Sequence, residues 1–189
     1  APLDVHALGV DILVTGTLKY LLGPPGVALL YVRKSLIERL EPLVTGWFGR
    51  VNPFAFSLAP LDWAPTARRF ETGSPPVPTI YGAVAGLELL RSLGSDVAAA
   101  QIARVVERMM IGAAARGLEV LTPSDPAHRG ALVVLKARDA QALATRLAAR
   151  GVIASARGPG LRVSFHAYNN DADVDAVLAA LEAERALLA

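Results

Sequence analysis

The sequence lacks cysteine altogether, and it has little net charge and no uninterrupted long apolar run. None of its 189 residues is cysteine, which excludes a disulfide framework, a cysteine-ligated zinc site and a cysteine nucleophile among these residues. The formal net charge is only +2 and the arginines are scattered along the chain, so charge gives no support to nucleic-acid binding. The longest apolar stretch, residues 18–32, is interrupted by Lys19, Pro24 and Pro25, so no membrane-spanning segment is predicted.

What the chain does contain is typical of a folded globular protein. Apolar residues make up 53% of the sequence and charged residues 19%, which excludes disorder and is enough for a substantial core. We therefore expect a cytoplasmic protein without a nucleic-acid or membrane partner. The sequence begins Ala-Pro-Leu-Asp, with neither a methionine nor a helix cap, and we expect it to be a fragment, a processed product or one half of a longer protein.

The first half of the chain predicts two strands and a proline-rich segment. Residues 11–15 and 27–32 are short apolar runs, which are typical of buried strands. Residues 42–76, here named the proline-rich segment, contain six prolines and show no period. Such segments usually carry function or mark an interface. Because two strands are too few for a sheet domain, we expect residues 1–94 to be part of a larger one.

The second half, residues 95–189, predicts a small α/β domain with an antiparallel sheet. Its strands are predicted at residues 120–121, 131–135, 152–155 and 161–165. Its helices are predicted to begin at the capping residues Ser95, Asp139 and either Asn170 or Asp171. A further helix from Pro78 to Gly94 precedes this domain, with an apolar face formed by Ile80, Val84, Leu87 and Leu90.

Lys19 is the residue that points most directly to chemistry. It follows a predicted buried strand and has leucines on both sides. A lysine buried among apolar groups loses its charge, and a neutral amine forms an imine with an aldehyde. The alternative is a loop lysine that extends to solvent. The neighbouring Thr15 and Thr17 are either phosphate-binding hydroxyls or turn residues.

Four segments in order resemble the class V aminotransferase-like enzymes, which are fold-type-I pyridoxal-phosphate enzymes. Residues 11–32 resemble the segment that carries the cofactor lysine, and the Gly-Trp-Phe-Gly sequence at 46–49 looks like an element of kynureninases. Residues 70–76 (Phe-Glu-Thr-Gly-Ser-Pro-Pro) resemble the family's glutamate-containing segment. Residues 161–169 (Leu-Arg-Val-Ser-Phe-His-Ala-Tyr-Asn) resemble its C-terminal Arg-Val-Ser motif. The likeness extends from the start of the chain to about residue 185.

The resemblance implies an α/β fold, namely the C-terminal part of a fold-type-I transferase. A remnant of the large mixed-sheet domain, residues 1–94, would precede a small α/β domain with an antiparallel sheet, residues 95–189. It also implies a homodimer with a shared active site, in which the proline-rich segment lies at the interface. The implied cofactor is pyridoxal 5'-phosphate and the implied substrate is an amino acid.

The resemblance further implies a role for each matched residue. Lys19 falls on the lysine that binds pyridoxal phosphate covalently, and Arg162 on the arginine that pairs with the substrate carboxylate. Ser74 matches the residue that reaches the phosphate of the neighbouring subunit, and Trp47 matches a kynureninase tryptophan near that phosphate. Together with the two threonines, these residues would hold the cofactor. The three histidines are scattered, and no metal site is predicted.

The sequence also departs from the family pattern. Leu18 stands where many members have histidine and kynureninases have tyrosine, and no cysteine is present to accept sulfur as in cysteine desulfurases. In the family, the groups that contact the pyridine ring and most of the phosphate precede the lysine, so these residues hold at most half of a site. Transamination, epimerisation and cleavage of the kynureninase or C–S lyase kind remain open. The alternative is a non-catalytic fragment or a dimerisation or binding module that retains the fold.

Overall fold

The computed structural model describes residues 3–56, 58 and 60–189. The Ala-Pro start of the chain and two positions of the proline-rich segment, 57 and 59, therefore lie outside the described residues. The chain folds into two compact units, Leu3–Ser92 and Leu93–Ala189, which are described separately. Within the described ranges, no helix combines the length and the apolarity that crossing a bilayer requires.

The first unit is built on a two-stranded antiparallel ribbon. β1 (Ile12–Gly16) pairs with β2 (Ala28–Val32), so that Thr15 lies opposite Leu29. The positions of both predicted strands are confirmed to within one residue, because short apolar runs bounded by turns are a local signal. Their predicted burial is wrong, since β1 and β2 are largely exposed, with Val32 buried at the end of β2. The helical elements that follow are α1 (Lys34–Ile37), three 3₁₀ helices (Trp47–Gly49, Pro53–Ala55 and Ala67–Phe70) and α2 (Val77–Leu93).

Arginine side chains hold the proline-rich segment together. The buried Arg69 donates from Nε to the carbonyl of Ala64 at 2.9 Å and from Nη1 to the carbonyl of Ile37 at 2.6 Å. Arg68 donates from Nη2 to the carbonyl of Arg50 at 2.9 Å. A guanidinium has five N–H donors in a fixed plane, so the two arginines bind several backbone carbonyls at once, within this segment and at the end of α1.

The second unit packs three helices against one face of a three-stranded antiparallel sheet. The sheet order is β3-β5-β4, with β5 in the centre. The strands are β3 (Leu132–Lys136), β4 (Ser155–Arg157) and β5 (Gly160–Ser164). The helices are α3 (Ser95–Ala115), α4 (Ala140–Ala149) and α5 (Asp171–Ala183), and two 3₁₀ helices lie at Pro126–His128 and Arg185–Leu187.

A single cluster of buried apolar side chains forms the core of the second unit. Strand residues such as Val133 and Leu161 enter it from one face of the sheet, because alternate residues of a strand point to the same side. The stripes predicted for two helices are confirmed as buried: Ile102, Val105, Val106 and Met109 in α3, and Val174, Val177, Leu178 and Leu181 in α5. This unit therefore has its own hydrophobic core.

Three predicted details of the second unit are wrong. Gly94, with φ of +84°, is the N-cap of α3, and Ser95 is the first helical residue. Glycine adopts this left-handed conformation without steric cost. The predicted strand at 120–121 is reduced to a single bridge from Val120 to Leu135. The strand predicted at 152–155 begins only at its last residue and continues to Arg157.

The capping of α5 makes the stability of this unit depend on pH. Of the two predicted candidates, Asn170 is the N-cap, and its Oδ1 accepts from the backbone N–H of Ala172 at 2.8 Å. In return, Asp173 accepts from the backbone N–H of Asn170 at 3.0 Å and from Nδ2 of Asn169 at 3.1 Å. The backbone hydrogen bond from Asn170, followed by that from the Asn169 side chain, holds the pKa of Asp173 below its usual value.

Acid is therefore expected to destabilise the second unit through Asp173. Because the folded-state pKa is the lower one, the stabilisation is fully present above the unfolded pKa of about 4 and is lost as pH falls through the folded value. The variant Asp173→Asn should lower the thermal midpoint at pH 7 and should flatten its decrease in acid. Circular dichroism melts over this range measure both effects.

The control for this prediction is Asp96→Asn. Asp96 also lies in a first helical turn, that of α3, but it makes no side-chain hydrogen bond to the part of the chain that the structure describes. Comparing the two variants therefore separates the effect of the capping hydrogen bonds on stability from the effect of the helix dipole. Equal pH profiles for the two variants would contradict the assignment to the capping box.

Candidate active site

Lys19 lies in the connection between β1 and β2, here named the lysine turn (residues 17–26). Its backbone carbonyl accepts from the N–H of Leu22 at 3.0 Å. Lys19 is exposed, and Leu18 and Tyr20 on either side are 51% and 42% exposed. The prediction that these residues bury the amine is therefore wrong, because no described element covers this side of the turn. Burial of Lys19 would need further polypeptide packed over it.

The two predicted threonines differ in their surroundings. Thr17 is fully buried, and its hydroxyl donates to the backbone carbonyl of Val27 at 3.1 Å, with Pro24 O at 3.4 Å. A phosphate oxygen is an acceptor and needs the single proton that Thr17 already uses. Thr17 therefore holds the lysine turn, which replaces its predicted role as a phosphate ligand. Thr15 is half-buried on β1, and its hydroxyl has no hydrogen bond to the described residues.

Trp47 is half-buried at the centre of the aromatic cluster, which consists of Trp47, Phe48, Phe54 and Phe56. Its ring meets Phe48 and Phe54 edge to face, with centroids 4.6 Å and 5.5 Å away, and it stacks on Phe56 at 6.0 Å. Phe54 and Phe56 are 67% and 74% exposed. Exposed aromatic groups of this size are typical of an interface. Ser74 is also exposed, three residues before α2 begins at Val77.

Arg162 lies on β5, the central strand of the second unit, between Val134 of β3 and Ser155 of β4. Its neighbours Leu161 and Val163 are buried in the core, so Arg162 points to the opposite face of the sheet. Its Nε is buried and has no hydrogen-bond partner in the described part of the chain. A desolvated donor without an acceptor is unfavourable, and a carboxylate would accept two parallel hydrogen bonds from this group.

The structure thus places Lys19, Thr15, Thr17, Trp47 and Ser74 in the first unit and Arg162 in the second. Sequence reasoning missed two residues of α2, Gly82 and Gly86, on which the lysine turn rests. A Cβ on Gly86 would lie 2.6 Å from the carbonyl oxygen of Leu21. The Gly-x-x-x-Gly spacing within a helix was the signal that could have identified them.

Comparison with known proteins adds independent observations. The sequence profile described as Aminotransferase class-V matches residues 1–177. The chain is 37% identical over 168 residues to an uncharacterized aminotransferase of Bacillus subtilis, covering 89% of this chain and 44% of that protein. It is 32% identical to a probable cysteine desulfurase of Streptomyces coelicolor, covering 96% of this chain and 46% of that protein. It is 30% identical to a kynureninase of Deinococcus radiodurans, covering 95% and 45% respectively.

Solved structures resemble the chain at lower identity. A cysteine desulfurase from Thermococcus onnurineus superposes with a TM-score of 0.86 at 22% identity, covering 95% of this chain and 48% of that one. The cystine C–S lyase C-DES, solved with its product cysteine persulfide, gives a TM-score of 0.85 at 23% identity, covering 95% and 48%. The chain therefore spans about half the length of the relatives that it matches.

Proposed function

Because the chain belongs to the aminotransferase class-V family, we propose that it supplies the lysine and the carboxylate-binding arginine of a pyridoxal-phosphate enzyme that acts on an amino acid. The observation that supports an amino acid as the substrate is the position of the Arg162 guanidinium. Its Nε is buried without a partner among the residues described, and it faces away from the core. The carboxylate of an amino acid would provide the missing acceptor.

The residues of the first unit fit the cofactor. One related solved structure, a variant of C-DES, is described with glycine covalently linked to its PLP cofactor. Bound pyridoxal phosphate supplies an electron sink for reactions at the substrate α-carbon. In this chain the exposed Nζ of Lys19 would attach the cofactor and, once released, would move a proton at that carbon. The hydroxyl of Thr15 would donate to its phosphate, whereas Ser74 and Trp47 would lie beside the phosphate held by a second copy.

Further polypeptide would complete the site. Large apolar side chains of the first unit are exposed on β1 and β2, among them Val14 at 66% and Leu29 at 45%. An isolated two-stranded ribbon is marginally stable in water. We therefore propose that additional polypeptide covers this ribbon and shelters Lys19 from water.

A second copy of the chain would share the site. The proline-rich segment carries the aromatic cluster and the fully exposed Leu43 and Leu58, which is the composition of a protein interface. We propose a cytoplasmic homodimer in which this segment is buried and Ser74 reaches the phosphate held by the other copy. Light scattering of the cofactor-bound protein is expected to give twice the mass of one copy, and a strict monomer would contradict the proposal.

The reaction type can be determined by identifying the products formed from different amino acids. The relatives are named as an aminotransferase, a cysteine desulfurase and a kynureninase, and in all three the reaction starts at an amino acid. L-Alanine, L-cysteine and L-kynurenine distinguish these classes, because amino transfer, release of sulfur and release of anthranilate leave different products. The absence of cysteine from these residues argues against sulfur transfer through a cysteine of this chain.

The proposed function is tested on the protein together with the polypeptide that covers its ribbon, by titration with pyridoxal phosphate. A yellow absorption band that saturates at one cofactor per chain, and that changes when one of the three amino acids is added, is the expected result. A protein that develops no band, or whose band is unaffected by every amino acid, would instead be the non-catalytic module that keeps the fold.

A further inference from the structure

We propose that α2 and Thr17 fix the backbone of the lysine turn and so set the position of the Lys19 amine. Gly82, Ala83 and Gly86 of α2 form a seat, here named the glycine seat, on which the turn rests. These are positioning residues that act through Lys19, and the inference rests on the proposed function of that lysine.

The helix side of the contact is built from small residues. Ala83 and Gly86 are the buried residues of α2, whereas Val84, on the apolar face predicted from the sequence, is 44% exposed. The other three residues of that predicted face, Ile80, Leu87 and Leu90, are half-buried, so only Val84 departs from the prediction, and the most buried positions of the helix are its smallest residues. A Cβ on Gly86 would lie 2.6 Å from the carbonyl oxygen of Leu21 and 2.7 Å from that of Leu22. The backbone of the turn therefore lies directly on the backbone of the helix.

The turn side of the contact is equally close. A Cβ on Gly23 would lie 2.8 Å from Cβ of Thr17 and 3.1 Å from Cα of Ala83. The buried Thr17 hydroxyl ties the turn to Val27 O at 3.1 Å, and the N–H of Gly23 donates to Thr17 O at 2.8 Å. Glycine at both 23 and 86 lets the two backbones and Thr17 interlock, which a larger residue at either position would prevent.

The backbone conformation of Leu22 shows that contacts around the turn hold it in an unfavourable conformation. Leu22 has φ of +56°, a left-handed conformation that a leucine avoids. Such a conformation persists only where the surroundings enforce it. The hydrogen bond from its N–H to Lys19 O, at 3.0 Å, links this strained residue directly to the lysine. Movement of the seat would therefore be transmitted to Lys19.

The function of such a seat is to place the amine, because the side chain of Lys19 is exposed and its position therefore depends on its backbone. A displacement of about 1 Å at a reacting group costs about 10²-fold in rate. Gly86→Ala is the sharpest test, because in an ordinary helix interior alanine is the more stable residue. Here the added methyl group must push the turn away from α2.

The matched control is Gly112→Ala in α3. The Cβ added there would crowd the buried side chain of Leu178, so this variant also disturbs a helix contact, but it does so in the other unit and away from the lysine turn. Gly86→Ala is expected to attach pyridoxal phosphate at least about 10-fold more slowly than Gly112→Ala.

A readout without the cofactor accompanies these measurements. The amide hydrogens of Leu22 and Gly23 should exchange faster in Gly86→Ala than in the wild type and in Gly112→Ala. Thr17→Val removes the hydroxyl at nearly constant volume and should reproduce the slower attachment, whereas Thr17→Ser should restore it. If Gly86→Ala does not fold, the comparison of Thr17→Val with Thr17→Ser tests the glycine seat in its place.

The outcomes separate the two proposals. If the wild type forms no absorption band with pyridoxal phosphate, the proposed function fails. If the wild type forms the band but the Gly86→Ala and Thr17→Val variants match Gly112→Ala in attachment rate and amide exchange, the glycine seat is refuted and the proposed function stands.

Discussion

Replacing Lys19 with alanine is expected to abolish covalent attachment of pyridoxal phosphate and to lower amino-acid turnover by at least about 10³-fold, the size of effect expected for a lost proton-transfer group. Lys19 would supply both the nitrogen that binds the cofactor and the group that moves the proton, and alanine supplies neither. The absorption band and the rate of product formation from the best of the three amino acids measure the two losses.

The chain offers close controls for this experiment. Lys34 and Lys136 are the other two lysines of the chain, and Lys34 lies in the same unit, in α1. Lys34→Ala should retain both the band and the turnover. Lys19→Arg keeps the positive charge but is not expected to attach the cofactor, because arginine stays protonated. Turnover by Lys19→Ala at the level of Lys34→Ala would remove Lys19 from the mechanism.

Arg162→Gln is expected to lower kcat/KM for the amino acid by about 10²-fold, because it removes charge-assisted hydrogen bonds that contribute about 3 kcal/mol in all. The amide of the same amino acid has no carboxylate, so its already low kcat/KM should change little. The difference between the two substrates isolates the contact between guanidinium and carboxylate from any general disturbance of the sheet.

Arg157→Gln is the matched control for that substitution. In the antiparallel register Ser155 pairs with Arg162 and Arg157 pairs with Gly160, so both arginines lie on the same face of the sheet. Arg157 is exposed, and its loss should leave both substrates unaffected. An equal loss on acid and amide in Arg162→Gln would show that Arg162 supports the sheet and does not bind the carboxylate.

The family and the fold class could be predicted from the sequence, and both are confirmed. Local signals identified most of the elements. The helical stripes of α3 and α5, the caps Asp139 and Asn170, and the runs that form β1 and β2 all depend on residues within a few positions of one another. Periodicity and capping chemistry are sufficient for features of this kind.

The surroundings of the site residues could not be predicted in the same way. The burial of Thr17 and the exposure of Lys19 follow from which segments pack on the lysine turn, and no local pattern contains that information. The glycine seat illustrates the difficulty, because hydrophobic periodicity points to large residues such as Val84 while the actual contact uses Ala83 and Gly86. Glycine has no side chain from which burial could be inferred.

The most direct test of the central claim is to treat the protein with pyridoxal phosphate, reduce it with borohydride and map the modified peptides by mass spectrometry. The chain has only three lysines, so each adduct is assigned without ambiguity. The account predicts one phosphopyridoxyl group per chain, located on Lys19. A modification spread evenly over Lys19, Lys34 and Lys136, or one located away from Lys19, would contradict it.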